Sequence, residues 1–439
     1  MTWLDTLKSG PDGRRLPQDG RSPFQQDADR IVFSSAFRRM QDKTQVHPQP
    51  QSDYVRTRLT HSMEVASVGR SLGGQVARLL FRSGYAPEGR HRDLAADLGD
   101  IVAAACLAHD IGNPPFGHTG EQAMQTWFDA HREAAFAGDL DAAQQADFLL
   151  FEGNAQGFRI LTRLQMDRNQ GGMRLMDATL GAFTKYPCDA QHRQGRDAVY
   201  IGRKKHGYKQ SEAALFEAMT LRLGLPLLDA ELSGAWRRHP LAYLVEAADD
   251  ICYRVVDVED GVKLGRIGFS EAEELFLAII GTGMSDRYRA RSNDEKLSTL
   301  RSLSIGALID AACRAFVDPA NGFLDAAQPK ALLDLTPHDA AARQLKTLAM
   351  GRVYLWERTV TEELKGITVL HRLLDLFVAA MNAGPRHVTA QRLLSLIPHY
   401  DAAAPRYQRL LAVTDYISGM TDRYAKETAE RLREVALPA

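Results

Sequence analysis

Apolar residues recur at three- and four-residue spacing through most of the chain, the period of an α-helix with one buried face. The pattern runs through 31–40, 61–80, 94–108 and 241–258, and returns in 297–316, 340–355, 361–381, 389–397 and 407–417. Strict two-residue alternation, the mark of a half-buried strand, is nearly absent. The best strand candidate is 198–201, where Val199 and Tyr200 precede a basic turn at 202–207. An all-α fold with at most a short β-hairpin is therefore predicted. Clusters of Gly, Pro, Asn and Asp predict loops at 47–53, 86–92, 112–117, 187–197 and 287–293. No internal repeat or heptad array interrupts this organisation.

At 439 residues the chain exceeds the usual size of one compact domain. The candidate ligands described below all precede residue 260, which predicts a catalytic core over 25–265 and a C-terminal helical region over 266–439. A formal net charge of -1 supplies no global attraction to nucleic acid or a membrane surface. No stretch approaches the roughly 18 apolar residues of a membrane span, and the first residues lack the apolar centre of a secretion signal. Cys106, Cys188, Cys252 and Cys313 are scattered without a C-x-x-C pair, which predicts buried free thiols and a cytoplasmic setting.

The densest chemistry lies in ACLAHDIGNPPFGHTGEQ, residues 105–122. An apolar helix runs into His109 and Asp110 and then breaks at Gly112 and the Pro114-Pro115 pair. Ending a buried helix on an imidazole beside a carboxylate is expensive unless both are paired or bind a cation. His61, opening the helix of RLTHSMEV, and Asp249, inside the apolar helix EAADDICY, supply two further donors. Nitrogen and carboxylate donors together suit a borderline or hard divalent ion: Mn²⁺ or Mg²⁺, with Fe²⁺ and Ni²⁺ also compatible. Asp249, Tyr253 and Asp257 stand at i, i+4 and i+8, on one helix face. Thr119-Gly-Glu-Gln122 fits a capping box, so a helix is expected to begin at Thr119 with His118 just outside it. Glu121 is then within hydrogen-bond reach of His118, an arrangement suited to proton transfer.

These segments together resemble the deoxyguanosine triphosphate triphosphohydrolase family of the HD-domain superfamily. The resemblance rests on DRI (29–31) with FRRMQDKTQV (37–46), RLTHS (58–62), HDIGNPPFGHTGE (109–121), FEGNAQ (151–156), TKYP (184–187) and 246–260, and returns in DYISGMTD (415–422). It implies an HD-type helical core that hydrolyses a deoxynucleoside triphosphate to deoxynucleoside and tripolyphosphate, by metal-assisted attack of water at the α-phosphorus. By position the family's metal ligands fall on His61, His109, Asp110 and Asp249, and its catalytic pair on His118 and Glu121. Arg58 matches the α-phosphate contact, Tyr253 reaches the phosphates, and Lys185 and the run Arg203-Lys204-Lys205 neutralise the triphosphate. Gln45 and Asp257 match contacts to the 3′ hydroxyl, and Val46 helps close the space a ribose 2′ hydroxyl would need. Asn113 stands where some HD triphosphohydrolases place a histidine; it can hydrogen-bond but cannot donate a titrating proton. The resemblance also implies a homo-oligomer, in the family a hexamer, with a deoxynucleotide or single-stranded DNA as candidate effectors.

Two rivals belong beside this reading. One is an HD-type phosphodiesterase or nucleotidase acting on cyclic nucleotides or monophosphates, against which Gln45, Arg58 and the Tyr253 face argue. The other is a nucleotide-sensing or single-stranded-DNA-binding module on the same fold, against which the intact ligand set with His118 and Glu121 argues.

Overall fold

In the computed structural model the described residues are 2–11, 20–44, 56–85, 91–166, 172–229, 233–326, 328–354, 357–383 and 386–437. The helices that position the site are, in chain order, α1 (Pro23–Val32), α2 (Arg58–Arg82), α3 (His91–Ala108), α4 (Gly117–Ala130), α5 (Gly153–Arg159) and α6 (Asp177–Phe183). They are followed by α7 (Pro240–Lys263), α8 (Asn293–Val317), α9 (Asp339–Ala349), α10 (Glu357–Asn382), α11 (Arg406–Ser418) and α12 (Asp422–Arg431). Single π-helical turns, Ile160–Leu164 and Met350–Tyr354, continue α5 and α9.

The caps follow local chemistry. Ser22 and Thr57 close capping boxes at α1 and α2, and Pro240 opens α7 at a position where no amide donor is needed. α2 lies flush on α3 because glycines face it. A Cβ on Gly73 would come within 2.4 Å of the Leu98 carbonyl oxygen, and one on Gly69 within 2.6 Å of Cys106 Sγ. That close approach carries His61, near the start of α2, to the end of α3.

Two apolar cores form. The larger gathers the N-terminal Trp3 and Leu4 with the buried faces of α1, α2, α3, α6, α7, α8 and α9. The smaller joins α4 and Phe148 and Phe151 to α10, α11 and α12. Each core therefore draws on chain from both sides of residue 265. The four cysteines are buried and free, and no helix among the described residues is long and apolar enough to cross a membrane.

Among the described residues there is no strand pair, only isolated bridges such as Thr44 with Thr57. The 198–201 segment is not a strand: it bends into a 3₁₀ turn, Ile201–Arg203, its Ile201 amide bonded to the Pro329 carbonyl and Val199 fully outside. Among the described residues no bridge forms at this segment, so its local β preference is not completed by a ladder. The 31–40 helix is also split. Ser34 accepts the Phe37 amide through its hydroxyl and starts a new short helix, Ser35–Arg39.

Candidate metal centre

Three elements converge. His61 lies in the first turn of α2, His109 and Asp110 follow the last residue of α3, and Asp249 lies midway along α7. Donor atoms of His61, His109 and Asp110 all fall within 4.8 Å of one another. Asp249 Oδ1 joins them, 3.2 Å from His61 Nε2 and 3.4 Å from His109 Nε2.

The tautomer of His109 is set by the helix end. Its Nδ1 donates to the Cys106 carbonyl at 2.7 Å, so the neutral ring presents a lone pair at Nε2. That Nε2 is buried and has no hydrogen-bond partner. A buried, unsatisfied imidazole nitrogen beside two carboxylates fits a divalent cation and is costly otherwise. Burial opposes charging His109, but Asp110 and Asp249 outweigh it and hold its pKa above the ordinary value.

Cations flank both carboxylates. Asp110 takes Arg58 Nη1 on Oδ2 at 2.6 Å and Asn113 Nδ2 on Oδ1 at 2.7 Å. Asp249 Oδ2 takes Lys185 Nζ at 2.6 Å. Burial alone would raise the Asp110 carboxyl; His109 and Arg58 pull it well below the usual carboxylate range. Two carboxylates are thus matched by two fixed cations, and a bound cation would leave the pocket positive, a field suited to a polyanion.

The expected start of α4 is corrected. The helix begins at Gly117, not after a Thr119 cap, because Phe116 and Gly117 both turn left-handed, φ 63° and 58°. Gly120 makes the corner possible, since a Cβ there would sit 2.0 Å from the Pro115 carbonyl oxygen. His118 is therefore within the first turn, and its Nδ1 meets Glu121 Oε2 at 2.9 Å. The imidazole is exposed while Glu121 is buried, its Oε1 accepting the Gly153 amide at 2.7 Å. The hydrogen bond and charge of Glu121 raise the His118 pKa. Burial raises Glu121 itself, but Lys205 and His118 reverse this and bring it to about 2.

The remaining candidates separate. Tyr253 lies one turn beyond Asp249, its hydroxyl 3.5 Å from Met350 Sδ, and Asp257 is buried a turn further on. Asn113 is spent on Asp110, and Gln45 and Val46 lie outside the described residues. Within the basic run, Lys205 Nζ reaches Glu152 Oε1 at 2.9 Å and Glu121 Oε2 at 3.6 Å, which ties that residue to the proton side of the site.

Three supporting residues had no role from the sequence. Arg238, fully buried, donates to the Lys185 carbonyl and to both oxygens of Glu246, one turn before Asp249 on α7. Lys43 is buried and donates to the carbonyls of Asn113 and Ser418. Asp422 accepts the amides of Thr44 and Phe116. Lys43 and Asp422 lie in the segments FRRMQDKTQV and DYISGMTD, but nothing local marks either as facing the site.

Comparison with known proteins agrees with this geometry. The HD domain model matches residues 58–149, which hold His61, His109 and Asp110, and the phosphohydrolase-associated domain model matches 336–431. A deoxyguanosinetriphosphate triphosphohydrolase-like protein of Pseudomonas aeruginosa (strain LESB58) is 43% identical, covering 100% of both chains. One of Synechocystis sp. is 38% identical, again over 100% of both. A deoxyguanosinetriphosphate triphosphohydrolase of Salmonella arizonae is 31% identical, over 99% of this chain and 98% of its own. With two HD-type histidines, two carboxylates and full-length relatives, this chain belongs to the deoxyguanosinetriphosphate triphosphohydrolase family of HD-domain phosphohydrolases.

Proposed function

We propose that the protein is a metal-dependent deoxynucleoside triphosphate triphosphohydrolase that converts dGTP to deoxyguanosine and tripolyphosphate by attack of water on the α-phosphorus. The observation that carries this reading is the unpartnered, buried His109 Nε2, facing His61 and Asp249 with Arg58 and Lys185 alongside. A divalent ion held by His61, His109, Asp110 and Asp249, Mn²⁺ or Mg²⁺ in this proposal, would supply Lewis-acid chemistry at the scissile phosphate.

The chain's own residues do the rest. Arg58 and Lys185 are fixed by carboxylates on the substrate side, so binding a phosphate means sharing donors already in place, with little reorganisation. Lys205 extends the positive side toward the outer phosphates. The departing group is the 5′ oxygen, which takes a proton as its bond to phosphorus breaks. His118 is the donor: Glu121 accepts Nδ1–H, raises the pKa of the ring and leaves Nε2 free to face the leaving group. Asp257 and Gln45 receive the 3′ hydroxyl, and Val46 excludes ribose, a discrimination worth about 1–3 kcal/mol.

Incubating the purified chain with Mn²⁺ and dGTP and separating the products by ion-exchange chromatography tests this. Deoxyguanosine and tripolyphosphate in equal amounts are expected. Deoxyguanosine monophosphate with diphosphate would mean that a different bond breaks, and inorganic monophosphate with dGDP would place the attack at the γ-phosphorus; either would reject it. The same assay across the four deoxynucleotides and GTP ranks base and sugar preference.

A further inference from the structure

α4 carries His118 and Glu121, and it starts from a corner that does not hold itself. Phe116 is a non-glycine residue in the left-handed region, directly before a left-handed Gly117. An L side chain there costs free energy, so such a residue persists only where its surroundings over-determine it. Here the surroundings come from the segment that the phosphohydrolase-associated domain model matches, 336–431. The Phe116 amide donates to Asp422 Oδ1 at 3.0 Å. Its ring packs on Gly366 of α10, where a Cβ would fall 2.6 Å from Phe116 Cγ. Lys426 Nζ stands 5.7 Å from the ring centroid.

The other oxygen of Asp422 is also used. Oδ2 accepts the Thr44 amide at 3.0 Å, immediately before Gln45. One carboxylate at the first turn of α12 therefore clips together two backbone points 72 residues apart, one leading to the proton donor and the other to the proposed sugar contact. Asparagine cannot replace it: only one of its two terminal atoms accepts, and its amide nitrogen would face a donor.

We infer that Asp422 is a positioning residue for the proposed reaction, acting on His118 and Glu121 through Phe116 while it anchors the Thr44 backbone. Chain from the phosphohydrolase-associated segment, 336–431, thus completes the proposed active site. The kinetic part rests on the function proposed above; the tether itself does not.

The test uses the full chain with Asp422→Asn, Asp422→Ala, Gly366→Ala and a control, Arg343→Met, which removes exposed hydrogen bonds to Asp339 and Asp334 in the C-terminal half, away from Phe116. Amide hydrogen exchange is followed in the peptide spanning 113–122, Mn²⁺ binding by calorimetry, and turnover with dGTP. Both Asp422 variants should expose the Phe116 amide to exchange and lower kcat roughly 10- to 100-fold, the scale of a small misplacement of a catalytic group. Mn²⁺ affinity should stay within about two-fold, since the metal ligands sit on α2, α3 and α7, and proximity is the only term lost. Gly366→Ala should lower kcat by displacing the ring, and combined with Asp422→Asn should cost less than the product of the two, because both act through Phe116. Unchanged exchange at Phe116, or wild-type kcat in Asp422→Asn, would overturn the inference. Equal slowing in Arg343→Met would do the same, by showing general loosening of the C-terminal half. If Asp422→Ala does not fold, Asp422→Asn and Gly366→Ala decide. A wild-type chain inert on every deoxynucleotide would reject the proposed function, while the exchange measurement would still judge the tether.

Discussion

Lys185 is bonded to Asp249, Nζ to Oδ2 at 2.6 Å, while Oδ1 of the same carboxylate turns to the two imidazoles. The lysine thus shares the carboxylate with the metal position. Replacing it with methionine removes a fixed positive charge from a buried site, which favours a cation and disfavours a polyanion. Lys185→Met should bind Mn²⁺ about 3- to 10-fold more tightly, on the scale of one screened charge at short range, while KM for dGTP rises. Calorimetry on the substrate-free protein and steady-state kinetics check the two halves. Weaker Mn²⁺ binding would show that Lys185 serves the metal site by shaping it.

Asp110→Ala removes a carboxylate whose oxygens meet Arg58 and Asn113 beside His109. Metal binding and turnover should both disappear. A ligand that binds only the folded state stabilises it by about 2.7 kcal/mol at a hundred times its Kd. Wild-type protein should therefore gain that much on addition of Mn²⁺ and lose it again with a chelator. The variant should melt at one temperature with and without the ion, measured by scanning calorimetry. A Mn²⁺-dependent shift in Asp110→Ala would move the site elsewhere.

The pH profile reports on His118. Its pKa is raised by the Glu121 hydrogen bond and charge, against partial desolvation and the charges of Lys205 and Arg58. With Glu121→Gln the raising influence goes and the lowering ones remain. Whichever limb of the kcat profile belongs to His118 must then move to lower pH, and an acid role predicts activity lost as pH rises through that limb. His118→Ala should slow the chemical step by roughly two to four orders of magnitude with the limb absent. A limb that stays in place in Glu121→Gln belongs to another group.

Local signals and tertiary ones were not equally legible. The helical period marked α2, α3, α7, α8, α10 and α11 because each buries one continuous stripe. The HD pair was legible because a buried helix ending on His109 and Asp110 demands a partner. The His118–Glu121 bond was legible because a residue just before a helix and one in its first turn come within reach, even though His118 proved to lie inside the helix. The start of α4 was not, because the Phe116–Gly117 corner is held by Asp422 and Gly366, hundreds of residues away. The 198–201 strand failed for the complementary reason: Val199 and Tyr200 favour extension locally, but Tyr200 instead turns its hydroxyl to the Arg238 amide. Asp422 itself looks like any acidic residue in the first turn of a helix.

Lys43 ties the loop after the HD pair to the end of α11 with a buried ammonium, donating to the carbonyls of Asn113 and Ser418. Burial, seconded by Arg39 and Arg58 and opposed by Asp422 and Asp110, lowers its pKa from the ordinary 10.5 to about 7. The unfolded chain therefore binds more protons than the folded one between those two values, and stability contributed by this site rises with pH across that window. Below about pH 7 both states are charged there and the penalty of the buried charge is fully present. Lys43→Met abolishes the dependence but strips two buried carbonyls of a donor, a loss of about 1–3 kcal/mol. Urea unfolding at pH 7, 8 and 9 should show wild type pulling ahead of the variant by up to about 1.4 kcal/mol per pH unit. The gap should be smallest at pH 7, where the charged amine cancels part of what its hydrogen bonds contribute. Parallel stability curves for the two proteins would mean that Lys43 keeps its ordinary protonation inside the fold, and that the two carbonyls alone are enough to hold its charge.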